Sequence, residues 1–128
     1  MVFILANITK KQIEDWKKTA LIDSAKVKNT RVLLTVSLQG RSNNDYFLSN
    51  ALLWNNLYGE VSKLLLERDA DGIDINFEDI PFSKKNEFVD FVTGFEKFLT
   101  IQLDTLTLFL ITNKNYENFN LRNDTLSE

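Results

Sequence analysis

With 128 residues, 44% of them hydrophobic and 26% charged, the chain has room for one domain with a real core. A net charge of −3 and a pI near 5.0 leave no electrostatic footprint for nucleic acid. The chain has no Cys and no His, which removes disulfides, thiolate nucleophiles, Ser-His triads and the usual zinc sites, so any chemistry rests on carboxylates, amides, hydroxyls or lysines.

Val2 to Ala6 is a short continuous apolar run, which predicts a strand buried on both faces. It is too short for a signal peptide and lacks the basic flank, and no segment approaches the length of a bilayer span. Thr9 and Gln12 have capping-box spacing, and Ile8 with Ile13 matches a hydrophobic staple. Ile13, Trp16 and Ala20 then recur at helical spacing, predicting a helix over Lys10 to Lys28 with a break near Asp23-Ser24. Arg31 to Leu38, rich in β-branched and apolar residues, reads as a second strand. It opens into a polar loop from Gln39 to Asp45. The next helix carries Leu53, Leu57, Val61, Leu64 and Leu65 on one stripe and ends near Arg68, with Asp69-Ala70 as a tight connection.

Asp71-Gly72-Ile73-Asp74-Ile75-Asn76-Phe77-Glu78 alternates apolar and polar residues with period two. That is the pattern of a strand whose faces see different surroundings. Ile73, Ile75 and Phe77 share one face; Asp74, Asn76 and Glu78 share the other. A row of polar groups on one face of a buried strand is costly, so a function beyond packing is expected of it. Pro81 helps turn the chain, and Ser83 reads as the N-cap of a helix with Phe88, Phe91, Val92, Phe95, Phe98 and Leu99 facing inward. Thr105 to Thr112 is the predicted fourth strand, followed by a polar tail from Asn113.

The order β-α-β-α-β-α-β predicts an α/β domain over residues 1–128, with parallel strands joined by helical crossovers. Two folds fit: an open doubly wound sheet, or part of a (β/α)8 barrel. The four glycines form no G-x-G-x-x-G and no P-loop, which weakens the nucleotide-binding version of the open sheet. A complete barrel needs at least ~200 residues.

The stretch from Asp71 to Glu78 resembles the signature of glycoside hydrolase family 18, the chitinases and related endo-β-N-acetylglucosaminidases. The family pattern is D-G-apolar-D-apolar-D-aromatic-E on the fourth barrel strand. It is met here by Asp71, Gly72, Ile73, Asp74, Ile75, Phe77 and Glu78, with Asn76 where the family has Asp. Ser37-Leu38-Gln39-Gly40 is similar to the family's Ser-x-Gly-Gly, with Gln39 departing from it. The resemblance implies a partial TIM barrel covering about strands two to five, half of the family domain. It also implies a substrate-assisted retaining hydrolysis of β-linked N-acetylglucosamine polymers, outside the two-carboxylate scheme. In that chemistry Glu78 is the general acid and base, Asn76 orients the substrate's acetamide, and Asp74 supports it from below. Ser37, Gln39 and Asn113, at predicted strand ends, are expected substrate contacts. No cofactor and no metal is implied. An acidic metal site from Asp74, Glu78 and Asp79 is a weak rival, because Asp79 falls on the opposite face.

Asn76 carries no negative charge, so it stabilises a cationic intermediate less than Asp would. The endo-β-N-acetylglucosaminidases of glycoside hydrolase family 85 resemble this arrangement, with an Asn two residues before the acid. The alternatives are a catalytically inactive carbohydrate-binding relative and a barrel fragment that neither binds nor cleaves. The expected partner is an N-acetylglucosamine-containing glycan, with no nucleic acid and no membrane span. The resemblance implies a secreted or cell-envelope setting for a longer parent chain. Half a barrel would leave strand edges at Val2–Ala6 and Thr105–Thr112 bare, so a missing barrel half or self-association is expected to cover them.

Overall fold

The computed structural model describes residues 2–4, 10–103 and 109–112, with side chains described for 11–102. In chain order the elements are β1 (Val2–Ile4), α1 (Lys10–Lys18), α2 (Ala20–Val27), β2 (Leu33–Leu38), α3 (Arg41–Leu48), α4 (Ala51–Arg68), β3 (Gly72–Phe77), a 3-10 turn (Phe82–Lys84), α5 (Lys85–Leu103) and β4 (Phe109–Thr112). The strands pair in parallel and lie in chain order, β1-β2-β3-β4.

The chain does not form the expected half of a (β/α)8 barrel of regular β-α repeats. Helix makes up 68% of the chain where side chains are described, and that part holds only two parallel strands, β2 and β3, in one small sheet. A regular β-α repeat places one helix between strands. Here the crossovers from β1 to β2 and from β2 to β3 are each divided into two helices, so helix outweighs strand. Among the described residues the strands run in chain order without the reversal at which an open doubly wound sheet forms its crevice.

The first division falls at Thr19, where the Lys10 to Lys28 helix was expected to run on to Asp23-Ser24. Thr19 is the N-cap of α2, its hydroxyl accepting from the Leu21 N–H at 3.2 Å. Arg68, at the end of α4, fastens this corner. Its guanidinium donates to the Trp16 carbonyl at 2.7 Å, the Thr19 carbonyl at 3.1 Å and the Asp23 carboxylate at 2.9 Å. Carbonyls freed at the end of α1 are thus satisfied by a cation, which also suits the helix dipole. The second division makes α3 out of the segment expected to be a polar loop. Thr9 and Ile8, the expected cap and staple, and residues 105–108 of the expected fourth strand lie outside the described residues.

The core lies between the sheet and the helices. Ile73, Ile75 and Phe77 of β3 join Leu34, Val36 and Leu38 of β2 on the buried face. Phe77 stacks on Phe91 of α5 at 5.3 Å between ring centroids and meets Phe47 of α3 edge-on at 5.8 Å. Each aromatic pair adds ~0.5–1.5 kcal/mol beyond the area it buries. Trp16 is fully buried, its indole N–H donating to the Leu64 carbonyl at 2.6 Å and joining α1 to α4. No helix among the described residues is long and apolar enough to cross a membrane.

Tyr58 joins α4 to α5, its hydroxyl donating to the Phe91 carbonyl at 2.6 Å and its ring packing on Phe91, Phe95 and Phe98. A Cβ on Gly94 would come within 2.8 Å of that hydroxyl, whereas a Cβ on Gly59 would meet nothing within 4 Å. Both glycines sit inside helices, where Ala is ordinarily better by ~1 kcal/mol. Gly59→Ala is therefore expected to raise the urea midpoint. Gly94→Ala is expected to lower stability by ~1–3 kcal/mol, because the hydroxyl is held by both its hydrogen bond and its ring packing.

Burial, and then the Asp90 carboxylate, push the Tyr58 pKa above its ordinary value of 10.0. The folded state thus keeps a proton that the unfolded chain gives up. This contribution is whole below about pH 10 and is lost as pH rises beyond that toward the raised folded value. Chemical denaturation of the native protein at successive pH values is expected to show a decline above about pH 10 that Tyr58→Phe flattens. Tyr58→Phe is also expected to cost ~1 kcal/mol at neutral pH.

Candidate functional site

The two faces of β3 divide as the alternation requires. Ile73, Ile75 and Phe77 are fully buried; Asp74 and Asn76, on the other face, are half-buried. Register pairs Thr35 with Asp74 and Ser37 with Asn76, so the polar face continues across β2. The Thr35 hydroxyl donates to the Asp74 carboxylate at 3.2 Å. Ser37, 2% exposed, lies beside Asn76 in this pairing. Glu78 follows the last residue of β3 and is exposed. Its N–H donates to the Leu38 carbonyl at 2.9 Å and so extends the parallel ladder by one step. Continued alternation puts Glu78 on the Asp74 and Asn76 side, each two-residue step covering ~7 Å.

Asp71 stands at the other end of the strand. Its N–H donates to the Val32 carbonyl at 2.8 Å, and its carboxylate accepts from the Val32 N–H at 2.7 Å. It clasps the start of β3 to the start of β2, well away from Glu78. Gln39 is exposed beyond the end of β2, its carbonyl accepting from the Asn43 amide at 3.0 Å. Asn113 lies outside the described residues. The structure therefore brings Ser37, Asp74 and Asn76 onto one face, sets Glu78 at its C-terminal rim, and leaves Gln39 on the loop beyond. Among the described residues no group of three or more His, Cys, Asp or Glu could hold a metal ion, so Asp74, Glu78 and Asp79 do not assemble one.

Asp79 takes a left-handed φ of 67°, and Gly40, after β2, a φ of 93°. Both strand ends thus turn sharply into the segments that follow. Asn44 of α3 reaches between them, its side-chain amide donating to the Gly40 carbonyl at 2.8 Å and the Glu78 carbonyl at 2.7 Å. Sequence reading missed Asn44 and Thr35. The Asn44-to-Gly40 spacing of one helical turn was a local sign, but the partner that matters is 34 residues away. Arg41 and Asp79 lie 3.9 Å apart across this edge, both more than half exposed, and an exposed pair of this kind adds little. Comparison with protein-family models, curated proteins and solved structures finds no match to this chain.

Asp71→Ala is expected to destabilise the protein by ~1–3 kcal/mol, because it leaves the Val32 N–H without its acceptor. Thermal unfolding would check this, and a change of under ~0.5 kcal/mol would remove the clasp from the account.

Proposed function

We propose that this chain carries the acid-bearing strand of a glycoside hydrolase acting on β-linked N-acetylglucosamine polymers. The observation that supports the reading is the polar row Asp74, Asn76 and Glu78, opposite a fully buried apolar face, with Glu78 exposed at the rim. Such a row exposes one carboxyl group to a bound glycan and sets an amide and a second carboxylate behind it.

In the proposed reaction the glycosidic bond breaks as the substrate's own acetamide oxygen attacks the anomeric carbon. Glu78, protonated, gives its proton to the departing oxygen. Asn76 orients the acetamide, and its amide dipole stands where charge develops. Asp74, steadied by Thr35, supports Asn76 from deeper in the sheet. Glu78, now a carboxylate, then takes a proton from the water that opens the cyclic intermediate, which regenerates the acid with retained configuration.

The second reading, a carbohydrate-binding relative without turnover, is favoured by one feature: an amide stands at position 76, where a carboxylate would better stabilise a cation. Hydrolysis of chito-oligosaccharides, followed by product chromatography, separates the two. Glu78→Gln is expected to lower kcat by ~100-fold or more, and Asn76→Asp to keep or raise it. Binding without turnover in the native protein, unchanged in Glu78→Gln, would establish the second reading. Full activity in Glu78→Gln would remove Glu78 as the acid.

A further inference from the structure

We propose that Asn44 is a positioning residue that holds the rim of the site by fastening the peptide of Glu78 to the head of α3. The consequence for turnover rests on the assignment of Glu78 as the acid; the mechanical hold does not.

Asn44 is fully buried, the most deeply buried polar side chain among the described residues. Its two amide hydrogens go to the Gly40 and Glu78 carbonyls, the first at the end of β2 and the second at the end of β3. On its other side Glu78 is held by the bond from its N–H to the Leu38 carbonyl. Both peptide groups of the acid are thus tied down, while no hydrogen bond or ion pair among the described residues restrains its carboxylate. The residue immediately after it, Asp79, is in the left-handed region. Asp is among the few non-glycine residues that visit that region readily, and the Asn44 bond to the preceding carbonyl holds the peptide that leads into it.

The Asn44 side-chain oxygen accepts no hydrogen bond among the described residues. Burying an amide oxygen without a donor is unfavourable. An Asn chosen only to fill this space would be a poor choice beside an apolar residue. What Asn supplies that Leu or Met cannot is two donors aimed at two carbonyls just beyond the ends of neighbouring strands. The arrangement fixes where the Cα of Glu78 sits and leaves its side chain free to move between substrate oxygen and water.

The test compares Asn44→Ala with Ser62→Ala and Val61→Ala. Ser62 is a buried hydroxyl bonded within its own helix, and Val61 is a core residue of the same helix. Amide hydrogen exchange is read at Glu78, Ile73 and Ile75, and kcat and KM are read on chito-oligosaccharides. In Asn44→Ala, exchange at Glu78 is expected to rise at least ~10-fold more than at Ile73 and Ile75, reporting local release of the strand end. kcat is expected to fall ~10- to ~100-fold with KM nearly unchanged, the mark of a displaced reacting group. Val61→Ala is expected to raise exchange at all three amides together, and Ser62→Ala to leave Glu78 as it was. If exchange at Glu78 rises only in step with Ile73 and Ile75, Asn44 is ordinary core and the proposal is overturned. Selective release at Glu78 in a protein without turnover would uphold the hold by Asn44 and sink the assignment of Glu78 as the acid.

Discussion

Phe77 stacked on Phe91 decides which face of β3 meets the helices, and the remaining features of the site follow from that choice. Ile73, Ile75 and Phe77 are fully buried, and each such side chain contributes ~1.5–3 kcal/mol on leaving water. A slip of one residue in register would expose all three and press Asp74 and Asn76 into the aromatic cluster. The penalty would be several such burials together with unpaired polar groups in an apolar setting. The polar row is therefore held in place by the apolar side of the same strand.

The same face gives its two carboxylates different surroundings. Asp74 is half-buried, two residues inside the strand, and accepts from Thr35 on the neighbouring strand. Glu78 lies past the last strand residue, exposed, its backbone tied on both sides. In the proposed hydrolysis the carboxylate fixed by a cross-strand hydroxyl takes the supporting part, and the one at the rim exchanges protons with substrate and water. Asp71, the third acid of the stretch, has a structural part at the opposite end, where it clasps Val32.

Legibility in the sequence followed the range of the interactions. The two faces of β3 were readable because period two is local to eight residues, and the Phe stripe of α5 because 3.6-residue spacing is local to a few turns. The break at Thr19 was misplaced because what fastens it is Arg68, 49 residues on from Thr19. Helix α3 was read as loop because Arg41 to Asp45 shows no apolar stripe. The half-barrel expectation came from the family resemblance of Asp71 to Glu78 set on a β-α order that the missing α3 made look regular. With each crossover counted as one helix the chain looks like a regular β-α repeat, and with α2 and α3 separated it is a mostly helical chain on a small sheet. Asn44 was invisible for a further reason. Its importance lies in one bond to a backbone carbonyl, and a backbone carbonyl leaves no mark in a sequence.

Without a half-barrel, the placement of Glu78 depends on the strand end and not on the fold. A barrel would have placed Glu78 at a pocket mouth by architecture alone. Without it, the position of Glu78 has to be explained locally, and the explanation is a turn. Gly40 and Asp79 reverse the chain beyond β2 and β3 through left-handed φ, and Asn44 bonds to the carbonyl of Gly40 and to that of the residue just before Asp79. The amide that ties these ends comes from α3, the same helix that the sequence conceals, and its neighbour Phe47 packs edge-on against Phe77 and Phe91. One short helix thus takes part in both the aromatic packing that orients β3 and the hydrogen bond that ends it. The buried face and the exposed acid are accordingly coupled through α3: a change that loosens Phe47 would also loosen the hold on Glu78.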